Sequence, residues 1–488
     1  MRSMTQRRRR SLDHPAIWAC ALALSLAPDG VPAQQAHPAL EGPISGGRQG
    51  QPFGALGDAL PEGWLEQEWF LSGAATSFQR AGTWGPDGLW AVTPDSSRPF
   101  AVRLLVRRPG DAARFNGIVV VEWLNVTAQA EGAAEYTQMA EELVRGGYAW
   151  VGVGAQAIGI HAPGTGLKAW DPVRYEPLHH PGDAFSYDIY AQAGRTLRAG
   201  DARGPLGGLT PRHVIAAGRS QSAFRLVTFL NAFHAHDPVF DGYFVHSRGA
   251  TAAGLRAEGL AADQPQAVPA GARIRADLNV PVLDVQTEGD MVTLGAHRTR
   301  QPASDTYRRW EIAGEAHAEI PLWIVEVPPD LSRGPGCANP VNAAPHHAFV
   351  KAALRALSDW VVDSRVPPQS PEIRLSDAPG ADPIARDGRG NALGGIRIPE
   401  LTAPTATLDG RQNSVAPGGP SGQNFCFLFG NTAPFDAATL RTLYPTHASF
   451  TESFIRAVDA LERDGYLLAP EAAEARRAAE ASGIGRQP

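Results

Sequence analysis

The chain has 488 residues, of which 43% are hydrophobic and 19% charged, with a formal net charge of −6. This is the composition of a folded, soluble protein, long enough for two or three domains or for one large α/β domain. Mild acidity argues against a nucleic-acid binder.

The first segment reads as an export signal rather than as part of a fold. A basic stretch, "MRSMTQRRRRSLDH", precedes a short apolar run, "PAIWACALALSLAP", and small residues at Val31 and Ala33. That order is the layout of a secretory signal peptide over residues 1–33, and the apolar run is too short for stable membrane insertion. A secreted or periplasmic location follows. Cleavage there would remove five arginines and two aspartates and leave a formal charge of −9. Two cysteines would remain, Cys337 and Cys426. In an oxidising compartment an even number points to one disulfide, the alternative being two buried thiols.

Residues 34–51, rich in Gly, Pro and Ala, read as a flexible lead-in to a single domain over 52–488. "EWFLSG" and "FAVRLLVRRP" have strand character, the second alternating and antiparallel in style. "GIVVVEWLN" (Gly117–Asn125) is a continuous apolar run, as expected of a strand covered on both faces. A helix is predicted over Ala133–Arg145, stopped by Gly146-Gly147, and the next strand is "YAWVGVGA". "FSYDIYAQAGRTLRAG" is helical. Then come strand "RHVIAAG", helix "QSAFRLVTFLNAFH", strands "GYFVHS", "PVLDVQT" and "RRWEIAG", and a helix over His346–Val362. Strands alternating with helices predict an α/β fold, a mostly parallel sheet with helices on both faces. Residues 155–185 break the alternation and are expected to form a lid-like insertion, with Phe185 at its end. Residues 367–488 read as an irregular C-terminal extension closing on one amphipathic helix, "FTESFIRAVDALERDGYLL".

The chemistry is concentrated at strand ends. "VIAAGRSQSAF" runs from a strand through Gly-x-Ser-x-Ser into a helix. A tight turn of this kind projects a nucleophile above the sheet, and Gly218 gives the close approach that the turn needs. Ser220 is the candidate nucleophile, with Ser222 standing where a second glycine is usual. Glu288-Gly289-Asp290 follows "PVLDVQT", and Glu315-Ala316-His317 follows "RRWEIAG". Serine, acid and histidine, each just past a successive strand, are in the chain order of an α/β-hydrolase triad. Asp290, at the fourth position of its turn, is the favoured acid, with Glu288 as the alternative. An oxyanion hole needs backbone N–H donors, expected from Gln221 after the nucleophile and from Asn125 or a neighbour in the loop after "GIVVVEWLN". Trp123, His246 and Phe185 are expected to touch substrate, with Arg248 near His246.

These stretches resemble bacterial exported proteins of the "α/β hydrolase domain-containing" group. The resemblance is carried by "VVVEWLNVT", "HPGDAFSYDIY", "GRSQSAF", "PVLDVQTEGD", "AGEAHA", "GNALGGIRIPE" and the region around Cys426. It implies one catalytic domain with decorations and a Ser-x-Ser elbow as the normal form. No cofactor is expected, because no Gly-rich phosphate loop or dinucleotide fingerprint occurs, and Gly152-Val153-Gly154 lacks the third glycine. No metal is expected: His179, His180 and Asp183 are ligand types but too adjacent to converge on one ion. The expected activity is cleavage of a small carboxylic ester through an acyl-enzyme. A peptidase or amidase on the same triad, or a hydrolase-like binding module without turnover, are the alternatives.

Overall fold

The computed structural model describes residues 38–250, 252–256, 268–319, 336–377, 382–411, 413–417 and 425–486. The signal-peptide expectation for residues 1–33 lies outside the described residues. From Ala39 onward the elements belong to one compact unit, residues 37–488.

The described elements begin with β1 (Ala39–Glu41), β2 (Trp64–Ala81), β3 (Ala91–Pro109) and β4 (Ile118–Trp123). Next come α1 (Ala134–Gly146), β5 (Ala149–Val153), α2 (Ala157–His161), α3 (Leu167–Trp170) and α4 (Ser186–Ala199). The central part holds β6 (His213–Arg219), α5 (Gln221–Ala232), β7 (Gly242–His246), β8 (Val282–Thr287), α6 (Glu288–Thr293) and β9 (Tyr307–Ala313). After α7 (His346–Asp363) follow β10 (Ile396–Arg397), α8 (Pro399–Thr402), β11 (Ala406–Asp409) and β12 (Asn431–Pro434). Helices α9 (Ala437–Leu443), α10 (His447–Arg463) and α11 (Ala469–Ala481) end it.

Ten strands form one sheet in the order β1-β2-β3-β5-β4-β6-β7-β8-β9-β10. Pairing is antiparallel from β1 to β5 and parallel from there to β10. The period of two along β4 and β6 divides their side chains between two cores. Val119, Val121, Val214 and Ala216 join one core with Ile189 and Tyr190 of α4 and Leu226 and Leu230 of α5. Ile118, Val120, Ile215 and Ala217 join the other with Met139 and Leu143 of α1 and Phe349 and Leu354 of α7. All six residues of β4 are buried, which is why that stretch reads as an unbroken apolar run. Each buried aliphatic side chain contributes roughly 1.5–3 kcal/mol.

Three expectations are corrected. The described part of the lead-in is tied down: β1 pairs with β2, and the N–H of Ile44 donates to the carbonyl of Glu68 at 2.8 Å. The insertion over 155–185 is not a lid. Its Tyr175 and Leu178 are fully buried, Arg174 Nε donates to Glu68 at 2.5 Å, and His179 exchanges backbone bonds with Ala101. It braces β2 and β3 instead. The C-terminal extension is more regular than its Pro/Gly content implied, since β10 joins the main sheet and β11 pairs with β12. The β2–β3 hairpin also runs well past the two short predicted strands, through polar residues that carry no alternating signal.

Candidate active site

Ser220 stands one residue past β6, with φ at +56°, a conformation that non-glycine residues rarely adopt and that concentrates at functional turns. Its N–H donates to the carbonyl of His246 at 2.9 Å, and its carbonyl accepts from Phe224 in the first turn of α5. A side chain at Gly218 would come within 3.1 Å of the carbonyl oxygen of Ser222, so the strand and the helix approach closely at this glycine. Ser222 itself is fully buried inside α5. The turn therefore closes with serine in the second small position.

Ser220 Oγ lies 2.9 Å from His317 Nε2. His317 Nδ1 lies 2.5 Å from Asp290 Oδ1. The other carboxylate oxygen, Oδ2, accepts from Ser247 Oγ and from the N–H of Thr287, both at 2.7 Å. Asp290 is also the third residue of a capping box on α6, for its own N–H donates to Thr287 Oγ1. Burial by itself would raise the Asp290 carboxyl. The neighbouring imidazole and these donors outweigh it and hold it at about 2. Asp290 is thus a fully buried carboxylate kept ionised by its partners.

Glu288, the alternative acid, points away from the histidine. Its Oε1 accepts from Arg386 at 2.8 Å and from the N–H of Gly410, and its Oε2 accepts from the N–H of Gly314. Burial raises its carboxyl although Arg386 pulls the other way. It fastens the acid loop and the end of β9 to the C-terminal extension. At Gly289 a side chain would fall 2.5 Å from the backbone nitrogen of His317, so the acid and histidine loops meet backbone to backbone.

The histidine loop is anchored from the far end of the chain. The N–H of Ala318 donates to Leu428 at 2.9 Å, and Asn342 Nδ2 donates to Gly314. Cys337 and Cys426 form a disulfide, with Cα atoms 5.5 Å apart, in an apolar cluster that includes Ala318 and Leu428. Arg219 Nη2 donates to the carbonyl of His317 at 2.5 Å.

Ser220 and His317 open onto a cavity of about 190 Å³ lined largely by small residues of the loop after β4 and the start of α1. These are Thr127, Ala128, Ala130, Gly132, Ala133 and Ala134. Two charged residues also border it, but Glu131 is engaged by Arg103 at 2.8 Å and Arg219 is turned to His317. The loop is pinned to the nucleophile by Asn125, whose Nδ2 donates to the carbonyl of Arg219 at 3.0 Å.

Several expected site residues lie elsewhere. The N–H of Asn125 is committed to Gly132, so Asn125 is a loop pin and not the oxyanion donor. Gln221 stands directly after Ser220 as the first residue of α5, where its backbone was expected, and its side chain donates to Gln156. Trp123, expected at the substrate, is fully buried, packs on Tyr187 and Tyr190 and donates to Gln156. Phe185 belongs to the same core. His246 is fully buried, held between Glu135 of α1 and His346 of α7. Arg248 is buried as well and donates to Ala272. The reason is common to Trp123 and His246: each continues the alternation of its strand, Trp123 after Val119 and Val121 and His246 after Phe244, so its side chain stands on a sheet face already covered by helices. His179, His180 and Asp183 do not converge, for His180 is bound to Ala155 and Asp183 pairs with Arg225 at 3.0 Å.

The sequence reading missed Ser247, Arg219 and Glu122. Glu122 accepts the N–H groups of Glu135 and Tyr136 and so caps α1 beneath the cavity, burial pushing its carboxyl up to about 8. The Thr287–Asp290 capping box was readable as Thr-x-x-Asp; the others carry no local signal.

No curated protein matches the chain. Similar solved structures include a glucuronoyl esterase from Solibacter usitatus, 13% identical over 55% of this chain and 74% of that one, with a TM-score of 0.28. A lidless a/b serine hydrolase from Xanthomonas campestris is 12% identical over 44% and 72%, TM-score 0.23. An alpha-beta serine hydrolase homologue from Coxiella burnetii is 12% identical over 45% and 84%, TM-score 0.26. The model of one family, the alpha/beta hydrolase domain, matches residues 40–477. With most of its length matched, this chain belongs to the alpha/beta hydrolase domain family.

Proposed function

We propose that the protein is a serine esterase that cleaves small, uncharged acyl esters through an acyl-enzyme. The observation that carries this reading is the unbroken chain of contacts from Ser220 through His317 to Asp290 at the mouth of a cavity. In this reading His317 Nε2 takes the proton of Ser220 as its oxygen attacks the ester carbonyl. The same nitrogen then gives that proton to the departing alcohol. Water, deprotonated in turn by His317, attacks the acyl carbon and frees Ser220. Asp290 keeps the imidazole oriented and balances its charge. The N–H of Gln221, with a second donor from the loop after β4, is assigned to the oxyanion.

The sheet order supports the placement of the acyl group. β6 lies between β4 on one side and β7, β8 and β9 on the other. The leaving oxygen must face His317, which follows β9, so the acyl group goes to the β4 side, against the small residues of 127–134. A volume of about 190 Å³ is well below the roughly 300–1,000 Å³ of drug-sized ligand sites, which favours acetyl or butyryl over long acyl chains.

Export belongs to the same proposal. The signal-like order of residues 1–33 and the Cys337–Cys426 disulfide support an oxidising compartment. Among the described residues no helix is long and apolar enough to cross a membrane.

A fluorophosphonate probe should label Ser220, and Ser220→Ala should abolish turnover of p-nitrophenyl acetate. Butyrate should be cleaved faster than octanoate or laurate. Preferred cleavage of an aminoacyl anilide would make the protein an amidase; an unlabelled Ser220 with no turnover of either substrate would leave a binding module.

A further inference from the structure

The tip of β7 places an unusual residue beside the candidate acid. Ser247 is fully buried and has φ at +57°, left-handed backbone that favours glycine and, after it, asparagine or aspartate. Serine gives the backbone nothing at such a position, so its side chain is the feature to explain. Its hydroxyl donates to Asp290 Oδ2 at 2.7 Å, and its N–H donates to the carbonyl of Val285 in β8 at 2.8 Å. One residue earlier, the carbonyl of His246 accepts the N–H of Ser220 at 2.9 Å. Successive residues of one strand tip therefore hold the nucleophile turn on one side and the acid on the other, as the position of β7 between β6 and β8 allows.

The carboxylate needs such a hold. The χ2 torsion of aspartate is broad and roughly two-fold, so the side chain has little intrinsic preference for the orientation that keeps Oδ1 on the imidazole. Orientation is left to the partners of Oδ2, which are the Ser247 hydroxyl and the N–H of Thr287. Removing the hydroxyl leaves Oδ2 of a fully buried charge with one donor, the N–H of Thr287.

We propose that Ser247 is a positioning residue of the triad: its hydroxyl fixes the second oxygen of Asp290, and its left-handed backbone is tolerated to bring that hydroxyl to the acid. The proposal rests on the reading of Ser220, His317 and Asp290 as the reacting set.

Two variants separate this role from a merely structural one. Ser247→Gly removes the hydroxyl and relieves the backbone; Ser247→Ala removes the hydroxyl and leaves the backbone strained. Both should lower kcat for p-nitrophenyl acetate by about 10- to 100-fold, the worth of one hydrogen bond to a buried charge, with KM unchanged. Labelling of Ser220 by the fluorophosphonate should slow in parallel. Thermal stability should move differently, the glycine protein melting above the alanine protein. Activity that follows melting temperature, or a glycine variant labelled and turning over as fast as the natural protein, would overturn the proposal for Ser247 alone. A natural protein whose Ser220 is not labelled at all would overturn the triad reading and this proposal with it.

Discussion

The nucleophile turn and the acid–histidine pair are built in different ways. The turn around Ser220 is held from the loops after β4 and β5 and from the tip of β7: Asn125 on the carbonyl of Arg219, Gln156 on Gln221, and His246 on the N–H of Ser220. The loops carrying Asp290 and His317 are met by Ser247 and Arg219 from the central strands and are also held from the far end. Arg386 and Gly410 bind Glu288, Leu428 binds Ala318, and the disulfide closes the cluster beside it. A strand–turn–helix is locally sufficient to shape an elbow, because strand, turn and helix are contiguous. Two loops that must meet at one imidazole have no such local template, and here a C-terminal extension clamps them.

The largest expected effect separates the two adjacent carboxylates. Asp290→Asn should cost about four orders of magnitude in kcat with little change in fold, while Glu288→Gln should cost far less activity and more stability. The reverse ranking would exchange their roles.

Breaking the clamp should unsettle the acid and histidine loops before the elbow. Reducing the disulfide opens a loop of 89 residues, a loss of about 4–5 kcal/mol on the chain-entropy model. Hydrogen exchange should then rise first at 314–319, with 213–232 still protected. Simultaneous exposure of both segments would show that they are one cooperative unit.

Arg386→Ala leaves Glu288 buried without its cation, a change that costs roughly 3 kcal/mol. The melting temperature should fall, and kcat should recover at low temperature because no reacting group is removed. A permanent loss of kcat in a folded variant would place Arg386 nearer the chemistry than the geometry does.

The smallest effect concerns pH. The carboxyl of Asp290 is held at about 2, against about 3.9 in an unfolded chain. A depressed carboxyl stabilises the fold above the unfolded value, and that contribution, about 2–3 kcal/mol, is lost as pH falls from 4 towards 2. Chemical denaturation of the natural protein should therefore weaken more steeply over that window than that of Asp290→Asn. Identical slopes would mean that Asp290 is not held ionised by the fold.

The sequence by itself determined the α/β class, the strand–turn–helix at Ser220, and the order of serine, acid and histidine at strand ends. These follow from periodicity and turn chemistry, which are local. It also supplied the two cysteines, though not the apolar cluster in which they meet. Only the tertiary structure decided which of the two carboxylates faces His317, since both lie in one turn and two residues of rotation reverse their directions. It likewise moved Trp123 and His246 from the substrate to the cores, because the face a strand residue occupies matters only once helices cover it. And it placed Ser247, an unremarked serine in "VHSRG", against Asp290, a contact set by the alignment of β7 with β8 and by a backbone turn that no residue type announces.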